Sequence, residues 1–175
     1  PKPHTPFQWV AQETEARLNE KQAVLKKGLL RKGIRLSWQD TRVSLLEAAL
    51  SRGDRRLGQV IYDAWKLGST FEAWSERFRF DLWQQAFAGA GLDPAFYAGR
   101  LRSLDEPLPW AHIDTGVSPA FLKREFCLAE EGRRTGDCRY VACNVCGLQG
   151  AQPACREKLA GQRDRASKGQ SAAGT

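Results

Sequence analysis

The sequence predicts a mainly helical fold: a small helical bundle followed by a cysteine-rich, metal-binding carboxy-terminal segment. Three observations carry this expectation. Apolar residues recur at helical spacing from Asp40 to Phe126, interrupted at 103–118 by two prolines and a glycine. Glycine stops alternate with Asp or Ser starts along that stretch, the punctuation of a bundle with short connections. Four of the five cysteines, Cys138, Cys143, Cys146 and Cys155, crowd into one polar segment.

Residues 1–9 (PKPHTPFQW) carry three prolines and are expected to be extended, a strand end running into a loop. Residues 11–32 read as a long helix with Leu18, Gln22, Leu25 and Leu29 on one face. Glu13 and Glu15 begin it and Lys26, Lys27, Arg31 and Lys32 end it, as the helix dipole favours. Gly33 closes it, and Ile34 to Trp38 alternates like a short strand. Asp40 is placed to cap a helix with Val43, Leu46 and Leu50 inward. Asp54 starts the next, with Leu57, Val60, Ile61, Ala64 and Trp65 inward; residues 79–90 form another on Phe80, Trp83 and Phe87. Asp93-Pro94 and Ser118-Pro119 start two more, with the polar residue at the cap and Pro in the first turn. The six Trp and eight Phe are expected in the core, and Cys127 with Leu122 and Phe126. Beyond Leu159 the chain lacks large apolar residues and is expected to be a disordered tail.

Composition narrows the function. No apolar run approaches the roughly 20 residues that cross a bilayer, and the first residues lack the apolar stretch of a signal peptide. A soluble, cytoplasmic protein without a membrane partner is expected. The chain holds no Met, and with its proline-rich start Pro1 reads as a cut within a longer polypeptide. The net charge of +7 is dispersed, as on solvated helix faces. It keeps a non-catalytic zinc-knuckle module for nucleic acid as the alternative function.

The cysteines run C-x4-C-x2-C-x8-C. Clustered thiols without a secretory signal serve a metal more often than a disulfide framework. In Cys143-x2-Cys146-Gly147 the two-residue gap lets both sulfurs face one ion, and Gly147 permits a turn that brings backbone amides toward them. Cys138 supplies a third thiolate and Cys155 can return as a fourth, a donor set for tetrahedral zinc or an iron–sulfur cluster.

Several stretches together, PKPHTPFQW, SRGDRRLG (51–58), FEAWSERFRFDLW (71–83), LDPAFYA (92–98), LDEPLPWAHIDTGVSPAFLKREF (104–126) and DCRYVACNVCG (137–147), resemble an uncharacterised radical SAM family with an amino-terminal cobalamin-binding-type domain. The resemblance implies that residues 1–38 are the last strand of a truncated (β/α) barrel with its connecting helix, and residues 39–132 a helical accessory domain. Residues 133–158 would then be the metal segment and 159–175 the tail. It further implies a parent enzyme with a 4Fe-4S cluster, S-adenosylmethionine and a cobalamin-type domain, which cleaves S-adenosylmethionine reductively to release a 5′-deoxyadenosyl radical. The upstream barrel of the same polypeptide and an electron donor would be the partners. The C-x3-C-x2-C motif of that chemistry is absent from these residues, so this segment alone is expected to be inactive. Where the family ends its motif CGxC this chain has Gln149, leaving Cys155, or an open position, to complete the site; where members often carry an acid it has Ala111. His112 and Asp114 would be substrate contacts at the barrel mouth, against the simpler reading that they bond their own loop backbone.

Overall fold

Helices account for all the regular structure in the described residues, which in this computed structural model are 1–29, 33–150, 152–158 and 160–162. In order they are α1 (Glu15–Leu29), α2 (Thr41–Arg52), α3 (Leu57–Lys66), α4 (Phe80–Gly89), α5 (Pro94–Gly99) and α6 (Pro119–Glu130). Short 3-10 turns lie at Pro6–Trp9, Ser75–Arg77 and Leu148–Gly150, and residues 153–158 and 160–162 are helical. The expected mainly helical fold is therefore observed. The expected tail falls mostly on residues 163–175, which lie outside the described residues, as do 30–32 at the end of the expected first helix.

The caps explain where the helices begin. Asp40 Oδ1 accepts the Arg42 amide at 2.8 Å, Asp93 Oδ1 the Ala95 amide at 2.8 Å, and Ser118 Oγ the Phe121 amide at 3.2 Å. Each satisfies one of the donors that a helix start leaves unpaired. Gly53 ends α2 where a methyl group would lie 2.9 Å from the Ala49 carbonyl oxygen and against the buried Leu57 side chain, so a larger residue would push the packing apart.

Two compact units emerge. The first holds Pro1–Pro3 and Trp9–Trp110; the second holds His4–Gln8 and the described residues from Ala111 onward. In the first unit, Leu46 and Ala49 of α2, Leu57, Val60 and Ala64 of α3, Trp83, Ala86 and Phe87 of α4, and Tyr97 of α5 form one buried cluster. Trp83 Nε1 donates to Glu72 Oε2 at 2.6 Å, so the one polar atom of that buried ring is satisfied.

A buried arginine ties the ends of this unit together. Arg52, with no exposed surface, donates from Nη1 to the Val10 carbonyl and from Nη2 to the Arg100 carbonyl at 3.0 Å. Arg102 Nη2 returns a bond to the Arg52 carbonyl at 2.8 Å, and its guanidinium lies 5.5 Å from the Trp110 ring centre. The backbone follows the same path, with Arg102 N to Trp9 O and Gln12 N to Ala98 O both at 2.9 Å. Glu106 holds Arg100 through two bonds of 2.6 Å and Arg102 through one of 3.0 Å.

Several expectations fail for identifiable reasons. Ile34 to Trp38 has no strand geometry, because alternation without a neighbouring strand leaves its backbone groups unpaired. Residues 1–9 are not a strand end: Pro6–Trp9 is a 3-10 turn, with the missing Pro N–H at the first position, where it costs nothing. The stripe of α1 buries no residue. On α3 only the narrow Leu57, Val60 and Ala64 stripe is buried; Ile61 and Trp65 face solvent, Trp65 at 59% exposure. Trp38 and Trp74 are also exposed, while Trp9, Trp83 and Trp110 are buried. Cys127 is exposed rather than core. Leu122 and Phe126 are one helical turn apart and share the buried side, and a residue one step beyond Phe126 turns about 100° away from it.

Two outcomes follow. Replacing Arg52 by Ala removes a buried side chain and leaves two part-buried carbonyls without it, lowering the unfolding free energy by about 3 kcal/mol in urea titrations; a change within experimental error would refute its role as the tie. Glu106 is held below its ordinary value of 4.5, chiefly by the Arg100 hydrogen bond. A carboxyl depressed in the folded state stabilises above its unfolded pKa, and that stability is lost as pH falls through the folded one. The melting temperature therefore drops on acidification below about pH 4.5, and Glu106→Gln makes that drop shallower.

Candidate metal centre

The cysteine segment is built on α6 of the second unit. Leu122 and Phe126 turn inward, and the Phe126 ring meets Phe7 edge-on with centres 6.3 Å apart. The same helix sends two polar side chains to the segment. Arg124 Nη2 donates to the Asn144 carbonyl at 2.5 Å, and Glu125 accepts the Thr135 hydroxyl.

Cys138 lies in a turn organised by Asp137. Its Oδ1 accepts the Arg139 amide at 2.9 Å, and its carbonyl accepts the Tyr140 and Val141 amides at 2.9 and 3.1 Å. The Arg139 guanidinium folds back on the same carboxylate at 2.6 Å and is the main reason that the Asp137 pKa falls to about 2. Lys158 donates its ammonium to the Cys138 carbonyl, tying the first cysteine to the helical residues that carry Cys155. Asn144 Nδ2 reaches the Gly136 carbonyl at 2.9 Å and closes the loop from the other side.

The Cys143–Gly147 turn has the form expected from its spacing. Val145 has φ 51° and Gly147 φ 111°, both left-handed. The Val145 amide lies 3.5 Å from Cys143 Sγ, a donor two residues before the glycine that was expected to bring amides toward the sulfurs. Glycine takes its conformation freely. For the β-branched Val145 it costs about 1–2 kcal/mol, while an N–H···S bond gives little in return.

All five cysteines are free thiols; Cys138, Cys143, Cys146 and Cys155 are half-buried. The donor chemistry fits a thiolate-bound metal, and the turn puts Cys143 and Cys146 on one bend. Convergence of the full set is not seen: among the described residues no three His, Cys, Asp or Glu side chains gather around a point that one ion could occupy. None of the described residues after Phe126 is buried, so this segment folds without an apolar core of its own.

Asp114 does what the simpler reading expected: its Oδ1 accepts the Gly116 amide at 2.7 Å, bonding its own loop. His112 is exposed on the same loop. What sequence reasoning missed is how this loop meets the cysteines. Ser118 N donates to the Cys146 carbonyl at 2.7 Å, and a methyl group at Gly147 would lie 2.4 Å from the Gly116 carbonyl oxygen. The only advance signal was the glycine after the second cysteine of the pair.

No family model, curated protein or solved structure matches this chain. No described helix is long and apolar enough to cross a membrane.

Because Asp114 acts here through one acceptor oxygen, Asp114→Asn retains the melting temperature and Asp114→Ala costs about 1 kcal/mol. Thermal unfolding of the two variants side by side checks this; equal loss in both would mean that the charge itself matters.

Proposed function

We propose that this chain is the carboxy-terminal accessory part of a radical SAM enzyme and holds an auxiliary iron–sulfur or zinc site, with Cys143 and Cys146 as its anchor and Cys138 and Cys155 completing it. The observation that carries the metal part of this reading is the Cys143–Gly147 turn, where the Val145 amide lies 3.5 Å from Cys143 Sγ; the radical SAM part rests on the peptide stretches that resemble that family.

Two cations support it. Arg124 and Lys158 sit on backbone carbonyls of Asn144 and Cys138, where a metal bearing four thiolates would carry net negative charge. The segment's lack of buried side chains supports it as well, since small coreless folds draw their stability from metals or cross-links. The group would supply a structural cross-link if zinc, or an electron-transfer or substrate-binding centre if iron–sulfur. The chain's own residues orient the sulfurs, offset their charge and fix the turn. Reductive cleavage of S-adenosylmethionine would belong to the upstream barrel, since these residues contain no C-x3-C-x2-C motif.

Anaerobic iron–sulfur reconstitution is expected to give a brown, oxygen-sensitive protein with broad visible charge-transfer absorption. Cys143→Ser and Cys146→Ser lose that colour, and Cys127→Ser, outside the site, keeps it. A colourless preparation that retains stoichiometric zinc assigns the structural form of the site. Retention of neither metal would overturn the reading.

A further inference from the structure

We propose that loading the Cys143–Cys146 turn with metal fixes the 111–118 loop through Gly116 and Ser118, so that the metal sets the position of Asp114. This rests on the metal reading above and adds a consequence that the reading does not require.

The coupling runs through backbone rather than side chains. The Ser118 amide is spent on the Cys146 carbonyl at 2.7 Å, while the Ser118 carbonyl accepts the Leu122 amide at 3.2 Å as the first bond of α6. One residue therefore joins the helix start to the cysteine turn. Next to it, a methyl group added at Gly147 would lie 2.4 Å from the Gly116 oxygen and 2.7 Å from the Ser118 nitrogen, so the two backbone stretches pack with no flexible side chain between them. Gly116 in turn gives its amide to Asp114 at 2.7 Å. Movement of the Cys146–Gly147 peptide must move Gly116 and Ser118 with it.

The turn itself is braced by hydrogen bonds alone. Arg124 and Ser118 hold the Asn144 and Cys146 carbonyls, but the left-handed Val145 works against them and no described residue after Phe126 is buried. A metal bonded to both sulfurs fixes two points of this turn only two bonds from the backbone, and the Cys146 carbonyl with them. The loop's order then follows metal occupancy.

The test uses the full chain with cobalt(II) as the probe, because cobalt thiolate absorption reports binding independently of any activity. Amide exchange is followed by mass spectrometry over residues 111–122, without metal and with saturating cobalt. Exchange in this stretch is expected to slow about tenfold on loading, the behaviour of a locally opening segment that has been pinned. Ser118→Pro, which removes the Ser118 amide at a φ of −68° that Pro adopts and leaves the residues of the cysteine turn unchanged, is expected to keep the cobalt spectrum and lose the slowing, because the bond to the Cys146 carbonyl is gone. A cobalt spectrum in the unmodified chain with unchanged exchange overturns the coupling and leaves the metal site standing. Absence of any cobalt spectrum overturns both.

Discussion

The helical unit depends on a guanidinium buried without a carboxylate. Arg52 stands at the carboxyl end of α2, where helix carbonyls lack partners and the dipole favours a cation. Its fork spans two carbonyls from separate stretches, Val10 and Arg100, a task for which the planar guanidinium is suited and an ammonium is not. Arg102 meets the Arg52 carbonyl, so each arginine satisfies backbone that the other's stretch exposes. The cost is charge: burial, with Arg102 and Arg100 nearby, pushes Arg52 down to about 10. Glu106 is the counterweight to the other two guanidiniums, which allows three to share this corner.

Local signals in the sequence were reliable where chemistry acts within one turn. The caps at Asp40, Asp93 and Ser118 fall where a side-chain oxygen and the following amides are enough to start a helix. Failures came where a partner decides the outcome. Ile34 to Trp38 has strand periodicity and no strand to join. Ile61 and Trp65 extend the apolar face of α3 beyond the width that α2, α4 and α5 cover, so periodicity overstated the core. Arg52 could not be picked out at all, because nothing in SRGDRRLG separates the one buried arginine from its exposed neighbours.

At the candidate centre the same division holds. The C-x2-C-G spacing predicted a turn with an amide toward sulfur, and Val145 and Gly147 make it. Asp114 was readable as a loop-bonding residue because such a bond spans two positions. The seating of Gly147 on Gly116 and Ser118 was not, since it joins residues far apart in sequence through backbone atoms, which carry no residue identity. Arg124 likewise reads as a solvated helix residue until the Asn144 carbonyl is seen beside it.

The two units contrast in what holds them. The first has a continuous apolar cluster drawn from α2, α3, α4 and α5. In the second, burial stops at Phe126, and everything described beyond is tied by carbonyls, Asx turns and exposed ion pairs, each worth about 1 kcal/mol or less in water. Such contacts rarely outweigh the entropy of ordering a chain, about 1–2 kcal/mol per residue. Tyr140, Val141 and Val145 remain in solvent rather than forming a small core, so hydrophobic burial does not make up the difference. Four thiols placed in that stretch are the one strong source of cohesion that its composition offers, and a metal uses them without demanding a core. On the metal reading proposed for these cysteines, the fold of the segment is conditional on what they bind.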